Sequence, residues 1–288
     1  MSDHSGIAWT NAIHRPVMRY HGGKWRLADW IMGFFPPHHT YVEPFGGAAG
    51  VLMRKPRSRA EVYNDLDGDV VNVFRILRDP EQAQRLEELC ALTPYARAEF
   101  DLAYEENSDP VERARRTLFR ASAGFGSACA TKGRSGFRSY SADKRHNSPA
   151  VDWLNLPQNI SLFCERLRGV LIENQPAIEI VRHFDSTNTL FYVDPPYLPE
   201  TRKMGGGRYY LHEMTAEDHK ALLPALLDTQ GAVVLSGYSS DLYDTLLHGW
   251  QRFARQTQAN GRTGSAIRTE CIWINPRCAD GMQQQRLF

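Results

Sequence analysis

Residues 40–53, with the sequence TYVEPFGGAAGVLM, contain the pattern that decides the fold. The apolar run at 40–43 predicts a β-strand, the glycines and alanines after it predict a tight turn, and the apolar residues that follow predict a helix. Glycine lets the backbone turn sharply and approach a ligand closely, and a helix N-terminus attracts anions. At a strand end in an α/β sheet such a turn commonly binds a nucleotide cofactor, although it can also be a turn alone.

A second predicted strand, at 61–64, ends beside Asp65, about 20 residues beyond the first strand. In dinucleotide-binding folds an acid at this spacing accepts hydrogen bonds from ribose hydroxyls, which makes Asp65 the candidate. Asp67 and Asp69 are close competitors, and either of them could instead cap the helix that follows.

Further predicted strands lie at 170–173, 190–194, 232–236 and 270–274, with helical patterns between them. Alternating strands and helices predict an α/β fold with a mostly parallel, Rossmann-like sheet and helices on both faces. The predicted helices cover residues 24–35, 69–78, 80–90, 94–104, 111–121, 160–168, 177–184, 216–228 and 240–247.

A long interruption separates the second predicted strand from the third, and residues 81–160 within it read as helices followed by a loop. Residues 112–146 contain nine Lys or Arg and two Asp or Glu, a net charge of +7 in a chain whose total is +1. Such a basic block suits nucleic-acid phosphates, although it could also be a solvated loop. The sequence therefore predicts a discontinuous α/β domain at 1–80 and 161–288 and an inserted nucleic-acid-binding domain at 81–160.

The strand at 190–193 runs into the tetrapeptide Asp194-Pro195-Pro196-Tyr197. Two prolines cannot continue a strand, and they fix the direction of the backbone. The amino nitrogen of adenine is a poor nucleophile because its lone pair is delocalised, and two acceptors on its hydrogens would localise that pair. The Asp194 carboxylate and the Pro195 carbonyl could be these acceptors, with Tyr197 stacked on a flipped-out base. The alternative is a proline-rich turn after a buried strand.

With these motifs the chain resembles the Dam-type (D12 class) family of DNA adenine-N6 methyltransferases. The resembling segments are 20–24 (YHGGK), 42–50 (VEPFGGAAG), 64–65 (ND), 194–197 (DPPY), 233–238 (VVLSGY) and 270–275 (ECIWIN). The resemblance implies a Rossmann-like S-adenosylmethionine-dependent methyltransferase sheet with an inserted target-recognition domain at 81–160. It also implies methyl transfer to the amino group of adenine in DNA.

The same resemblance implies the candidate site residues. Tyr20 and Lys24 would contact the methionine part of S-adenosylmethionine, with Lys24 near its carboxylate. Pro176 stands where the family commonly has an Asp that contacts the cofactor adenine, so Asn174 or a backbone group would replace it. Ala49 stands where the family often has Gly, and we expect little harm from this change. The implied cofactor-binding set is Tyr20, Gly23, Lys24, Glu43, Phe45, Gly46, Gly47, Asp65, Asn174 and Asp194, and the catalytic set is Asp194, Pro195, Pro196 and Tyr197.

Double-stranded DNA is the partner that the resemblance and the basic block imply. Segment 201–210, after the tetrapeptide, contains three glycines and three basic residues. It predicts either a loop that closes over the flipped nucleotide or an ordinary surface loop. His219 is expected to be structural. The candidate DNA-contacting residues are Lys132, Arg134, Arg138, Lys144, Arg145, Arg202 and Lys203.

Other functions remain open at this stage. A cytosine-N4 methyltransferase shares the fold but more often has Ser in place of the Asp of the tetrapeptide. A nicotinamide or flavin oxidoreductase would use the glycine turn, but it predicts a G-x-G-x-x-G pattern that the turn lacks. A catalytically inactive DNA-binding protein on a methyltransferase fold is the third alternative.

Composition sets the remaining expectations. No apolar run reaches the roughly 18 residues of a transmembrane helix, and the N-terminal residues lack the apolar region of a secretory signal, so we expect a cytoplasmic protein. The five cysteines form no CxxC pair, which predicts reduced thiols and no metal site. Both a monomer and a homodimer are compatible with the sequence.

Overall fold

One β-sheet of seven strands organises the described part of the chain, which in the computed structural model comprises residues 13–126, 133–140, 148–202, 209–261 and 264–285. The strands are β1 (Thr40–Glu43), β2 (Ala60–Asn64), β3 (Val170–Glu173), β4 (Thr189–Val193), β5 (Ala232–Gly237), β6 (Gln251–Gly261) and β7 (Gly264–Ile274). Their spatial order is β3-β2-β1-β4-β5-β7-β6. The first five are parallel, whereas β7 is antiparallel to both β5 and β6.

The helices begin mostly where the sequence supplies a capping side chain. Asp67, Asp79, Ser148, Thr215 and Ser240 each accept a backbone N–H in the first turn of the helix that follows. The helices are α1 (Ala28–Met32), α2 (Gly68–Arg78), α3 (Pro80–Leu92), α4 (Arg97–Leu102), α5 (Pro110–Ala123), α6 (Pro149–Leu154), α7 (Ile160–Leu167), α8 (Ala177–Phe184), α9 (Ala216–Leu227), α10 (Asp241–Leu246) and α11 (Pro276–Gln285).

Helices cover both faces of the sheet, because the parallel strands are apolar on both sides. Along β4, Phe191 and Val193 pack into one buried cluster together with residues of α8, α9 and α10. Leu190 and Tyr192, which alternate with them, pack into a second cluster with residues of α1, α2, α5, α7 and α11. The predicted α/β fold is confirmed, and all six predicted strands are present.

The segment after the glycine turn was predicted to be a helix, and this prediction is wrong. Residues 48–55, all of them described, form successive turns in place of the expected helix. Ala49 adopts a φ of 52°, a left-handed conformation that interrupts helical geometry. The Leu52 N–H then donates to a carboxylate oxygen of Glu43 at 2.8 Å and not to a carbonyl of a preceding helical turn.

Segment 81–160 supplies most of α3 and all of α4, α5 and α6. Helices α3 and α5 pack against α2, and α3 also packs against α7, on the side of the sheet near β3, whereas α4 and α6 pack against α5. Phe119 of α5 meets Trp153 of α6 edge to face at 4.8 Å, and both belong to the same buried cluster as one face of the sheet. The domain division at 81 and 160 stays a prediction. Among the described residues, every helix is too short or too polar to cross a lipid bilayer.

Candidate functional site

A cavity of about 1000 Å³ opens at the carboxyl ends of β1, β2 and β4. The strand order reverses between β1 and β4, and ligands of open α/β sheets bind at such a reversal. The structure therefore brings the two sequence motifs to one place. The residues of the predicted site that line this cavity are Tyr20, Gly23, Lys24, Glu43, Phe45, Gly46, Gly47, Asp65, Asp194 and Pro196.

The glycine turn is closely packed, and its shape requires glycine at two positions. A Cβ on Gly46 would lie 2.1 Å from the ring of Tyr63. Gly47 has a φ of 49°, and a Cβ there would lie 2.7 Å from the ring of Tyr20. The backbone consequently presents a bare surface to the cavity, as the approach of a cofactor requires.

The three acids after β2 have different partners. Asp65 accepts the Gly47 N–H at 2.8 Å and the Asp67 N–H at 2.9 Å, so it holds the glycine turn in place. Asp67 caps α2, and Asp69 pairs with Arg113 at 2.8 Å. Burial raises the pKa of Asp65, and burial together with the Asp65 charge raises the pKa of Asp67 to about 6. Of the three, Asp65 is the acid that lies directly beneath the turn.

Pro176 occupies the position where the family commonly has an acid, and it lines the cavity. The Asn174 amide donates to the backbone carbonyl of Asp65 at 2.8 Å, so the Asn174 side chain points toward the end of β2. The cavity wall beside Asn174 includes Gln175, Pro176 and Ile178, and the charged side chains of Glu179 and Arg182 also line it. Sequence reasoning did not assign Gln175 or Ile178 to the site, and their place after β3 is the signal that could have found them.

Lys24 lies at the catalytic tetrapeptide. Its ammonium is 3.0 Å from Asp194 Oδ1, 3.6 Å from Glu270 Oε1 and 4.8 Å from the centre of the Tyr197 ring, and it donates to the Gly22 carbonyl at 2.7 Å. Burial alone would lower the pKa of Lys24, but the Asp194 and Glu270 carboxylates raise it above its ordinary value. Lys24 therefore remains charged in an enclosed site.

Glu270 on β7 is a site residue that sequence reasoning missed. It is 4% exposed, and its Oε1 accepts the hydroxyl of Tyr197. Burial raises the pKa of Glu270, and the neighbouring Lys24 ammonium opposes that rise. A glutamate at the start of the apolar run ECIWI was the available signal, because a charged residue inside a central strand needs a buried partner.

The tetrapeptide is held from behind by a buried histidine. His219 on α9 places Nε2 3.0 Å from the Pro196 carbonyl and Nδ1 3.0 Å from the Tyr243 hydroxyl. This pairing suits a neutral ring that donates to the carbonyl and accepts from the hydroxyl, and burial lowers the pKa of His219. The structural role expected for His219 is confirmed.

Arg202 connects the tetrapeptide to the segment that follows it. Its guanidinium donates to the Tyr197 carbonyl and pairs with Glu213 at 2.8 Å. Glu213 in turn accepts the N–H groups of Tyr209 and Tyr210 at 2.5 and 3.0 Å. The Arg202 side chain is 9% exposed, so a DNA contact from it stays a prediction that its burial does not favour. Lys203 lies outside the described residues.

The basic block is less available to DNA than its charge suggests. Arg134 is 61% exposed and pairs with Asp101. Arg138 is buried, and it donates to the Ser122 carbonyl at 2.7 Å and to the Tyr140 hydroxyl at 2.6 Å. Lys132, Lys144 and Arg145 lie outside the described residues. Internal carboxylates also pair with Arg113, Arg115, Arg116 and Arg120.

Glu43→Gln is expected to stabilise the protein at pH 8 and to have no effect at pH 4. Burial raises the pKa of Glu43 to about 7, so the folded chain keeps a proton that the unfolded chain loses near pH 4 to 5. Stability therefore falls as the pH rises through this window. Gln keeps an oxygen that can accept from Tyr41 and Leu52 but carries no buried charge.

Urea denaturation of both proteins at the two pH values measures this effect. The difference at pH 8 is expected to be roughly 3 kcal/mol, at 1.36 kcal/mol for each unit of pKa. An equal difference at both pH values, or a loss of stability at pH 8, would contradict the assigned ionisation.

A metal centre has no support in the described ranges, where His, Cys, Asp and Glu form no group of three or more that suits a metal ion. The four described cysteines, Cys90, Cys164, Cys271 and Cys278, are free and buried.

Comparisons with known proteins agree with the site. A family model described as D12 class N6 adenine-specific DNA methyltransferase matches residues 20–259. DNA adenine methylase of Escherichia coli K12 is 26% identical over 221 residues, covering 73% of this chain and 74% of that protein. DNA adenine methylase of Salmonella typhi is 25% identical over 251 residues, covering 84% and 86%.

A solved structure of a putative RNA methyltransferase from Pyrococcus horikoshii aligns at 10% identity with a TM-score of 0.37. It covers 89% of this chain and 84% of that chain, a likeness too distant to carry an argument. The family match, in contrast, includes both the glycine turn and the tetrapeptide that meet at the cavity. The chain therefore belongs to the D12 class of N6 adenine-specific DNA methyltransferases.

Proposed function

We propose that this chain transfers the methyl group of S-adenosylmethionine to the amino group of an adenine that is flipped out of double-stranded DNA. The observation that carries the proposal is the position of the Lys24 ammonium. A nitrogen donor already lies 3.0 Å from the Asp194 carboxylate and over the ring of Tyr197. An adenine amino group in the same place would meet the same acceptor and the same aromatic face.

The residues around the cavity fit S-adenosylmethionine. The glycine turn offers bare backbone, Asp65 lies beneath it, and Phe45 and Ile178 contribute apolar surface for an adenine ring. Two carboxylates, those of Asp194 and Glu270, also lie within 4 Å of the Lys24 ammonium, and the cavity lining contains more Asp and Glu than Lys and Arg. When bound, S-adenosylmethionine supplies an electrophilic methyl group on a positively charged sulfur, a charge that such a site favours.

The tetrapeptide would act on the adenine by positioning it. The Asp194 carboxylate accepts one hydrogen of the amino group and the Pro195 carbonyl accepts the other, so the nitrogen lone pair is directed away from the ring system. Tyr197 stacks on the base, and Pro196 is kept in place by His219. Bound S-adenosylmethionine would supply the methyl group, a new N–C bond would replace its S–C bond, and Asp194 would accept the surplus proton of the nitrogen before that proton passes to solvent.

Lys24 has to leave the face of Tyr197 before a base can occupy it. The family resemblance implies that Lys24 contacts the carboxylate of the cofactor. The Lys24 side chain is long and flexible, so it can move from Tyr197 to that position. The adenine amino group would then take the place of the Lys24 ammonium beside the Asp194 carboxylate.

The alternatives raised by the sequence have less support. The family match favours adenine over cytosine-N4 and over a nicotinamide or flavin cofactor. Asp194 of the tetrapeptide faces the cavity, and its carboxylate pairs with the Lys24 ammonium, which a substrate can displace. This arrangement argues against an inactive DNA-binding protein.

Arg134 and Arg138 are the two described residues among the predicted DNA contacts of the basic block, and they are expected to respond differently to substitution. Arg134→Ala should weaken duplex binding and lower the slope of log Kd against log salt by about 0.9, the value for one phosphate contact. Arg138→Ala should instead lower the thermal stability, because it leaves the Ser122 carbonyl without its buried donor. Fluorescence anisotropy at several salt concentrations and thermal melting separate the two effects. An unchanged slope for Arg134→Ala would move the DNA surface elsewhere.

Methyl transfer itself is tested with S-adenosylmethionine that carries a tritiated methyl group and with duplex DNA from a methylation-free bacterium. We expect tritium in the DNA, and we expect calorimetry to detect binding of S-adenosylmethionine and not of NAD. Binding of NAD alone would support the oxidoreductase alternative. Cofactor binding without any transfer to DNA would overturn the proposed reaction.

A further inference from the structure

The β6–β7 hairpin extends beyond the rest of the sheet. The pairing of β7 with β5 runs from Ile274 to Cys271, where it meets Gly237 at the end of β5. Residues 264–270 continue past that point and remain paired with residues 255–261 of β6. At about 3.3 Å per residue, seven residues project by roughly 20 Å. The projection lies at the carboxyl edge of the sheet, where the cavity opens.

This hairpin is basic along its length. Residues 251–269 contain four arginines, at 252, 255, 262 and 268, and they contain no Asp or Glu. Arg252 pairs with Asp244, and Arg262 lies outside the described residues. Arg255 is exposed and belongs to the projecting part of β6. Arg268 is half-buried on the projecting part of β7.

Arg268 is connected to the catalytic tetrapeptide through Tyr238. Its guanidinium is 5.7 Å from the ring of Tyr238 and donates to the Tyr238 hydroxyl at 3.3 Å, and Tyr238 packs edge to face against Tyr197 at 4.7 Å. The Nε of Arg268 is buried without a hydrogen-bond partner. A half-buried guanidinium that lies one aromatic ring away from Tyr197 suits a phosphate group of a bound nucleotide.

The hairpin and segment 81–160 lie on opposite sides of the cavity. The strand order places β6 at one edge of the sheet, whereas the helices of 81–160 pack near β3 at the other edge. Strand β4, which ends at Val193 immediately before Asp194, is separated from β7 by two strand spacings, or about 10 Å. A duplex that delivers a base to this cavity has to cross the carboxyl edge and so passes between these two elements.

We propose that the β6–β7 hairpin is a second DNA-contacting element, in which Arg255 and Arg268 bind phosphates on the side of the target base opposite segment 81–160. The inference rests on the proposed DNA methyltransferase function. It assigns a role to the four arginines and the absence of acidic residues at 251–269, a segment that lies outside the basic block at 112–146.

Arg255→Ala tests the proposal, with Arg168→Ala as the matched control. Arg168 is 68% exposed and precedes β3 at the opposite, amino end of the sheet. Binding of a fluorescent duplex is measured by anisotropy between 50 and 200 mM salt. Arg255→Ala should lower the slope of log Kd against log salt by about 0.9, so the affinity lost over this range becomes about threefold smaller. The control should keep the wild-type slope.

Four further readouts separate the possible failures. The Arg255→Ala, Arg268→Ala double variant should lower the slope by roughly 1.8. The kcat of the control, Arg168→Ala, should stay at the wild-type value, because Arg168 lies at the opposite end of the sheet from the catalytic groups. Salt slopes that match wild type in both variants would overturn the proposal. If the slope is unchanged but the molecular mass measured by sedimentation changes, the β6 edge contacts a second copy of the chain and the proposal is likewise overturned. A wild-type protein that binds duplex with these slopes but transfers no methyl would overturn the proposed function alone.

Discussion

Asp194→Ala is expected to reduce methyl transfer by roughly 10³-fold, the effect of removing one preorganised hydrogen-bonding group from an active site. Asp194 follows the buried strand β4 and lines the cavity, where its carboxylate faces Lys24 at 3.0 Å. Without that carboxylate the adenine amino group loses its charged acceptor, and its lone pair stays delocalised. Single-turnover transfer of a tritiated methyl group, at saturating DNA and cofactor, measures the chemical step separately from binding.

Duplex binding and the melting temperature serve as controls for this variant. Both should stay near wild type, since Asp194 is not among the groups that hold the sheet together. Glu200→Ala, an exposed carboxylate change six residues along the same segment, should keep wild-type activity. Asp194→Asn preserves the shape of the side chain without its charge and is expected to be almost as defective. Turnover that survives in Asp194→Ala would refute the assigned role.

Glu270→Gln is expected to lower kcat by roughly 10- to 100-fold, with little change in the affinity for DNA. Glu270 accepts the Tyr197 hydroxyl and lies 3.6 Å from the Lys24 ammonium. Gln can still accept from Tyr197, but it no longer attracts Lys24, which then binds Asp194 alone and competes with the adenine. A hydrogen bond to a charged group contributes about 1.5 to 3 kcal/mol, which corresponds to this range of rate.

The pH profile distinguishes this role from a merely structural one. Burial raises the pKa of both Asp194 and Glu270, so wild-type activity should fall on acidification at a pH above the ordinary carboxyl range. In Glu270→Gln one of these two ionisations is removed, and the acid side of the profile should become less steep. Glu217→Gln, at a 78% exposed surface position, is the matched control. A Glu270→Gln protein with wild-type kcat and an unchanged profile would exclude the assigned role.

The parts of the molecule that local patterns specify were predictable from the sequence. The strand before the glycine turn, the strand before the tetrapeptide and α8 follow from short apolar runs with clear boundaries. The tetrapeptide was placed correctly at a strand end because two prolines cannot continue a strand. Its contact with Lys24, in contrast, joins residues 170 positions apart and depends on how the sheet brings β4 beside the N-terminal segment.

The errors have physical causes of the same kind. The helix expected after the glycine turn is replaced by turns because Glu43, from the preceding strand, binds the Leu52 N–H. Strand β6 was missed because an edge strand is largely solvated, and its sequence QRFARQTQ lacks an apolar run. The basic block overstated the DNA surface because net charge does not report pairing, and Arg115 illustrates this with partners in both Glu99 and Glu112.

Mass spectrometry of the nucleosides from DNA treated with the purified protein and S-adenosylmethionine tests the account most directly. The substrate is duplex DNA that lacks methylated bases, and the Asp194→Ala protein is the parallel sample. We expect N6-methyldeoxyadenosine with the wild-type protein and none with the variant. N4-methyldeoxycytidine as the product, or N6-methyldeoxyadenosine at equal levels in both samples, would contradict the claim that Asp194 holds the amino group of a flipped adenine.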